Sequence, residues 1–356
     1  MVDMSLSVGI VGLPNVGKST LFQALTKKKV DIANYPFTTV QPNIGIVKVP
    51  DERLEKIGGI FHSQKTVSMI MEFVDIAGLV RGAHKGEGLG NQFLAHIRET
   101  DGIVHVVRSF EDSQVAHVEE KLDPVRDIDI VRTELLLKDK ETIQKRIFNV
   151  EKDVKAGEKE AIAQNEVLPA LLRELNVGNP ARSFFIKNSD AAELLQDLQL
   201  LTAKPVVYLI NSNTERIPSS LAAKLKELQA PYAVMNLKEE LEIAGLSVQE
   251  QEELEVKSKL PLVIEKCYEL LDLITFFTGN ENETRAWAIQ KGTSVLKAAG
   301  LVHSDFQEKF IRAIVISWDK LLEAGGIQEA FAKGWIHTEG KEYVMKDGDV
   351  IEIKHG

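Results

Sequence analysis

Gly12-Leu13-Pro14-Asn15-Val16-Gly17-Lys18-Ser19-Thr20 reads G-x-x-x-x-G-K-S and directly follows the apolar run Val8-Gly9-Ile10-Val11. This spacing is that of a phosphate-binding loop. Two glycines let the backbone aim its N–H groups inward, Lys18 reaches the β- and γ-phosphates of a bound triphosphate, and Ser19 supplies a hydroxyl to Mg²⁺. A helix starting near Lys18 adds the positive end of its dipole. Lys18 is therefore the first candidate catalytic residue, and Asn15, Val16, Gly17, Lys18, Ser19 and Thr20 are candidate phosphate contacts. A chance glycine-rich turn is the alternative. The strand before the motif and the amphipathic run Thr20-Leu21-Phe22-Gln23-Ala24-Leu25 after it argue against that reading.

A second metal ligand is expected from Asn34-Tyr35-Pro36-Phe37-Thr38-Thr39-Val40-Gln41-Pro42-Asn43, a proline-bounded segment too irregular for a helix. In nucleotide switches a threonine from such a loop closes the Mg²⁺ shell when a γ-phosphate is bound. Thr39 is the candidate and Thr38 its rival. The next motif, Phe73-Val74-Asp75-Ile76-Ala77-Gly78, is a strand ending in D-x-x-G. Alone it is weak, because Asp and Gly are common where strands end; downstream of a phosphate loop it places Asp75 on the metal and the Gly78 N–H on the γ-phosphate.

Leu79 stands where many GTPases carry a glutamine that orients the attacking water, and a leucine cannot take that role. Either hydrolysis is slow or another group aligns the water. Of the neighbouring histidines His84, His96, His105 and His117, His105 lies within the apolar run Ile103-Val104-His105-Val106-Val107 and reads as a core or strand-end residue. His117, in a loop-like stretch, is free to approach a phosphate, and a solvent-facing histidine is equally consistent with composition. Further on, Pro205-Val206-Val207-Tyr208-Leu209-Ile210 reads as a strand ending in Asn211-Ser212-Asn213-Thr214. Guanine-specific sites carry N-K-x-D here, the carboxylate pairing with two guanine donors. Ser212 and Thr214 are neutral and cannot replace it, so much of the discrimination for guanine is forfeited and ATP is expected over GTP. Glu215 stands one residue late.

These residues need a frame to hold them, and 356 residues suggest two or three domains. The segment from about Ile130 to Leu201 is rich in Glu, Lys, Leu and Ala, with Leu135, Ile143, Ile147, Val150 and then Val167, Leu171 and Leu172 at helical spacing. It reads as an antiparallel helical arm, either a solvated face or a partner-binding one. After it the pattern returns to strand and helix, with Met235-Asn236-Leu237 where a final loop would brush the base. The last eighty or so residues carry short Thr/Val/Ile-rich segments and an Asp347-Gly348 turn, signs of a small mixed sheet in which Trp287 and Trp318 are read as packing residues, with His303 open between packing and a functional role. The single cysteine, Cys267, excludes an internal disulfide framework and a cysteine-based zinc site, and is expected buried in a helix. The net charge of −10 argues against general nucleic-acid affinity while leaving room for a local basic face. Neither a basic-then-apolar leader nor a run of about 18 apolar residues is found, so a cytoplasmic chain with no membrane contact is expected.

The run from Gly9 to Asn43, the block from Met71 to Arg108 and the ending from Thr275 to Gly356 resemble the YchF, or Obg-like ATPase, family of translation-factor-class P-loop NTPases. The resemblance implies an α/β fold with a Ras-like P-loop nucleotide domain (1–131 and 201–274), an inserted helical coiled-coil arm (132–200) and a C-terminal β-grasp, or TGS, domain (275–356). It implies a Mg²⁺-dependent ATPase that binds the ribosome or its large subunit, with possible RNA contact through the TGS domain, acting as a monomer. Phosphate contacts then fall on Asn15 to Thr20, metal ligation on Ser19 and Thr39, and the base pocket on Asn211 and Ser212; His117 matches the family's loop histidine implicated in hydrolysis. One departure stands out: the family's recognition tetrapeptide commonly ends in Glu, and here it ends in Thr214. Two alternatives remain, an Obg-type GTPase and a ribosome- or RNA-binding module in which hydrolysis is incidental.

Overall fold

The computed structural model describes residues 6–27, 43–76, 89–110 and 122–356. The first described element, β1 (Leu6–Val11), leads through the glycine loop into α1 (Lys18–Thr26). Then come β2 (Ile44–Lys48), α2 (Glu52–Phe61), β3 (Lys65–Val67), β4 (Ile70–Asp75), α3 (Leu89–Arg98), β5 (Gly102–Arg108) and α4 (Pro124–Lys155). With β6 (Val206–Asn211) and β7 (Tyr232–Met235) they form a first sheet in the order β2-β4-β1-β5-β6-β7. β2 runs antiparallel to β4 and the other pairings are parallel. Helices cover both faces, which is why β1 and β5 are written as nearly unbroken apolar runs: every residue of β5 is buried. Among them is His105, which lies against Tyr208 as a core histidine.

α4 is 32 residues long, about 48 Å of helix. It starts on an Asp123 cap that accepts the Arg126 N–H, packs Ile128, Val131 and Leu135 against the first sheet, and runs without a break through residue 132 into the arm. Gly157, at φ 81°, turns the chain into α5 (Lys159–Asn176), and α6 (Ala181–Lys187) and α7 (Ser189–Leu194) close the arm. The arm has its own core of Ile143, Val150, Leu168, Leu171, Leu175 and Leu195. Its base is clasped by the fully buried Asp139, whose carboxylate accepts the Leu201 N–H at 2.8 Å, the Thr202 N–H at 2.7 Å and the Thr202 hydroxyl at 2.6 Å. Burial pushes the Asp139 carboxyl up while these donors pull it down.

After β6 the chain forms α8 (Ser219–Glu227), β7, α9 (Leu237–Ile243), α10 (Val248–Glu253) and α11 (Leu260–Leu270). Cys267 is buried on α11, as its apolar setting predicts. A second sheet follows, built from β8 (Leu273–Gly279), β9 (Glu283–Gln290), β10 (Phe310–Ser317), β11 (His337–Glu339) and β12 (Asp349–His355). One face packs on α12 (Val295–Val302), beside α13 (Ser304–Glu308); the other meets α14 (Trp318–Ala324) and α15 (Ile327–Ala332). Trp287 stacks on Phe276, a packing role, whereas His303 is mostly exposed and caps α13 through the Asp305 N–H. The unforeseen feature is the order of this sheet, β11-β10-β12-β8-β9-β3: its last strand comes from the nucleotide half of the chain. Among the described residues no helix is long and apolar enough to cross a membrane.

Candidate nucleotide site

The carboxyl ends of β4, β1, β5 and β6 lie side by side in the first sheet, where parallel α/β sheets form their ligand crevices. The glycine loop joins β1 to α1 there. Gly12 (φ 149°), Asn15 (φ 63°) and Gly17 (φ 110°) all take positive φ, which folds the loop back over the helix start. A Cβ at Gly12 would stand 2.5 Å from the Val106 carbonyl oxygen, and one at Gly17 would stand 2.6 Å from Asn211 Nδ2. Both glycines are thus demanded by close approach as well as by dihedral angle.

Lys18 is buried and its ammonium donates to the Leu13 carbonyl at 2.8 Å, spanning the loop. An ammonium has three donors, so this bond leaves two to aim at phosphate oxygens. Desolvation lowers the Lys18 amine to about 8, a fall resisted by the nearby Asp75 carboxylate. Ser19 donates its hydroxyl to Asp75 Oδ2 at 3.3 Å, which brings two of the expected metal-site oxygens together. Burial raises the Asp75 carboxyl, against the Ser19 hydrogen bond and the Lys18 charge. The Asp75 N–H in turn donates to the Asn43 carbonyl at 2.9 Å, so the end of the expected switch segment is tied to β4. Thr39 with its rival Thr38, Gly78, Leu79, His84 and His117 lie outside the described residues. His105 is lowered to about 3, first by burial and then by the positive charges of Lys18 and Arg132, and so stays neutral inside the sheet.

At the far end of the crevice Asn211 acts as a strut. Its Nδ2 donates to the Val16 carbonyl at 3.0 Å and its Oδ1 accepts the Leu237 N–H at 3.1 Å, joining the glycine loop to the start of α9. Sequence reasoning missed the Val16 carbonyl and the Leu237 amide as its partners, although the Met235-Asn236-Leu237 segment was the signal available. Ser212 Oγ accepts the Thr214 N–H at 3.2 Å, and the Thr214 hydroxyl donates to the Arg216 carbonyl at 3.0 Å. Both side chains are engaged by their own turn. Glu215 is mostly exposed and pairs with Lys259 at 2.8 Å, a hydrogen bond that holds its carboxyl below the usual range. Glu215 is thus drawn toward α11.

Comparison with known proteins adds to this geometry. Residues 7–146 match the family model described as a 50S ribosome-binding GTPase, and residues 273–356 match the C-terminal domain model of YchF GTPases, described as a protein of unknown function. The chain is 45% identical to the ribosome-binding ATPase YchF of Bacillus subtilis, the match covering 99% of each. It is 43% identical to the protein of that name from Escherichia coli O157:H7, over 98% of this chain and 99% of the relative. Among solved structures, the YchF GTPase of Schizosaccharomyces pombe superposes with a TM-score of 0.86 at 35% identity over 99% of both chains. A GTP-binding protein from Pyrococcus horikoshii, 20% identical with a TM-score of 0.61, shares the fold.

Proposed function

The chain belongs to the YchF family of P-loop NTPases, and from that membership we propose that it is a ribosome-binding ATPase, hydrolysing ATP in preference to GTP with Mg²⁺. The observation that carries the reading is the glycine loop with Lys18 buried across it and Ser19 paired to Asp75. The oxygen donors of Ser19 and Asp75 suit Mg²⁺, a hard cation that also keeps waters and phosphate oxygens in its shell. When bound, the ion neutralises charge on the β- and γ-phosphates. Thr39 is proposed to complete the protein ligands.

In this mechanism the loop amides from Asn15 to Thr20 and the Lys18 ammonium hold the phosphates and offset the charge that builds on the transferring group. Gly78 adds a backbone donor. Leu79 leaves the water-orienting role open, and His117 is proposed to take it. Asn211 and Ser212 line the base pocket, Asn211 by holding the loop and α9 in register. The preference for adenine rests on the missing carboxylate: Thr214 replaces it, and Glu215 is engaged by Lys259. We propose cytoplasmic action as a monomer, with the ribosome or its large subunit as partner and RNA contact through the C-terminal domain. Paired calorimetric titrations with ATP and GTP in Mg²⁺ test the base reading: ATP binds more tightly, and equal or tighter GTP binding overturns it. Co-sedimentation with ribosomes in ADP and in a non-hydrolysable ATP analogue tests the switch.

A further inference from the structure

β2 and β4 are antiparallel neighbours that a short hairpin turn would suffice to join. The chain instead sends residues 49–69 out of the nucleotide sheet and into the C-terminal domain, closing the neck with a Val49 N–H bond to the Met69 carbonyl at 2.9 Å. Leu54 and Ile57 of α2 share one buried cluster with Phe277, Ala286, Ile316, Leu321 and Val350. Phe61 lies flat against Gly279, where a Cβ has no room. β3 pairs with β9 in parallel register, Lys65 to Glu283, Thr66 to Thr284 and Val67 to Arg285. The Ser63 hydroxyl adds bonds to the Asn280 carbonyl and the Thr284 hydroxyl.

Arg53 fastens the other end of this excursion. It is 20% exposed and its guanidinium meets Asp51 at 2.7 Å and, across the domain boundary, Asp347 at 2.6 Å. It also lies over the Phe277 ring at 5.3 Å and near Trp318 at 6.0 Å. Asp347 accepts the Thr275 N–H at 2.9 Å, anchoring the far side of the bond to β8. From this excursion the chain returns as β4, six residues or about 20 Å of strand whose last residue is Asp75. The strand that precedes the excursion starts one residue after Asn43, whose carbonyl holds the Asp75 N–H.

We infer that residues 49–69 couple the seating of the C-terminal domain to the nucleotide site, with Arg53 as the positioning residue that transmits it through β4 to Asp75. The inference rests on the nucleotide reading above and adds its regulation. A partner that grips the C-terminal domain then changes nucleotide affinity, and nucleotide changes the domain's seating by the same factor, since coupling is reciprocal. Arg53 is suited to the role because a planar fork bridging two carboxylates fixes orientation, which an ammonium cannot do.

Hydrogen exchange and nucleotide affinity in the full-length chain test this. With a non-hydrolysable triphosphate analogue against the diphosphate, amide exchange at Thr66, Val67, Thr284 and Arg285 should differ by about fivefold or more, the lower range of measured couplings. R53A and D347N should each shift the ratio of analogue to diphosphate affinity by a similar factor, the double variant should shift it no further, and R53K should fall between. Thermal unfolding identifies any variant that has lost its fold, in which case R53K and the wild-type exchange comparison decide. Equal exchange in both nucleotides, or ratios within about twofold of wild type, overturns the coupling. Running adenine and guanine pairs in parallel keeps the two readings separate, because guanine preference with intact exchange differences sinks only the base assignment.

Discussion

Lys18 has two opposed pH dependences, both following from its burial. Its amine lies at about 8 in the folded chain, below the ordinary 10.5, because desolvation disfavours the charged form. The unfolded chain therefore holds more protons between pH 8 and 10.5, and Lys18's contribution makes folding stability rise with pH across that window. Nucleotide binding works the other way. Phosphate charge at the amine raises its value, so binding takes up a proton above pH 8 and affinity falls there, approaching about tenfold per pH unit. Calorimetry in buffers of different ionisation enthalpy should show that uptake at pH 9 and little at pH 6.5; no buffer dependence at pH 9 removes the assignment. At this scale the motifs, which fix both residue type and spacing, placed Lys18, Ser19 and Asp75 at one site, and the three do lie together. The sequence was less legible for Asn211, whose partners are two backbone groups that carry no side-chain signature.

Periodicity revealed the helical arm because its apolar positions form a core of their own. It did not reveal where α4 begins: the stretch from Pro124 to Leu135 keeps the same spacing while packing on the first sheet. The helix thus ties arm and sheet into one rod, and the Asp139 clasp fixes where the chain comes back. D139N is the informative substitution. An amide keeps one acceptor oxygen, so in either orientation its N–H₂ faces one buried backbone N–H, that of Leu201 or that of Thr202. Each orphaned group costs about 1–3 kcal/mol. Urea unfolding should report a loss in that range or above, with amide exchange at Leu201 and Thr202 rising first. Stability within about 0.5 kcal/mol of wild type would contradict the clasp, being no more than an ordinary surface change.

Across the whole molecule the two sheets divide the chain unevenly. Composition shifts and turn signals located the C-terminal unit, but its sixth strand is donated by residues more than two hundred positions upstream, and no local pattern encodes such a pairing. The stretch 273–356 matches a family model as a self-contained segment, yet α2 and β3 complete its buried face and its sheet. A chain ended at residue 272 should expose Leu54, Ile57, Phe61 and an unpaired strand edge, both recognised routes to association. Size-exclusion chromatography with a dye for apolar surface should show aggregates or strong dye binding, and a monodisperse, dye-silent fragment would refute it. The seam has a consequence for recombination. Any chimera exchanging this tail between relatives must carry the distant patch 49–69 with it, so the two stretches are constrained to be inherited as a matched pair.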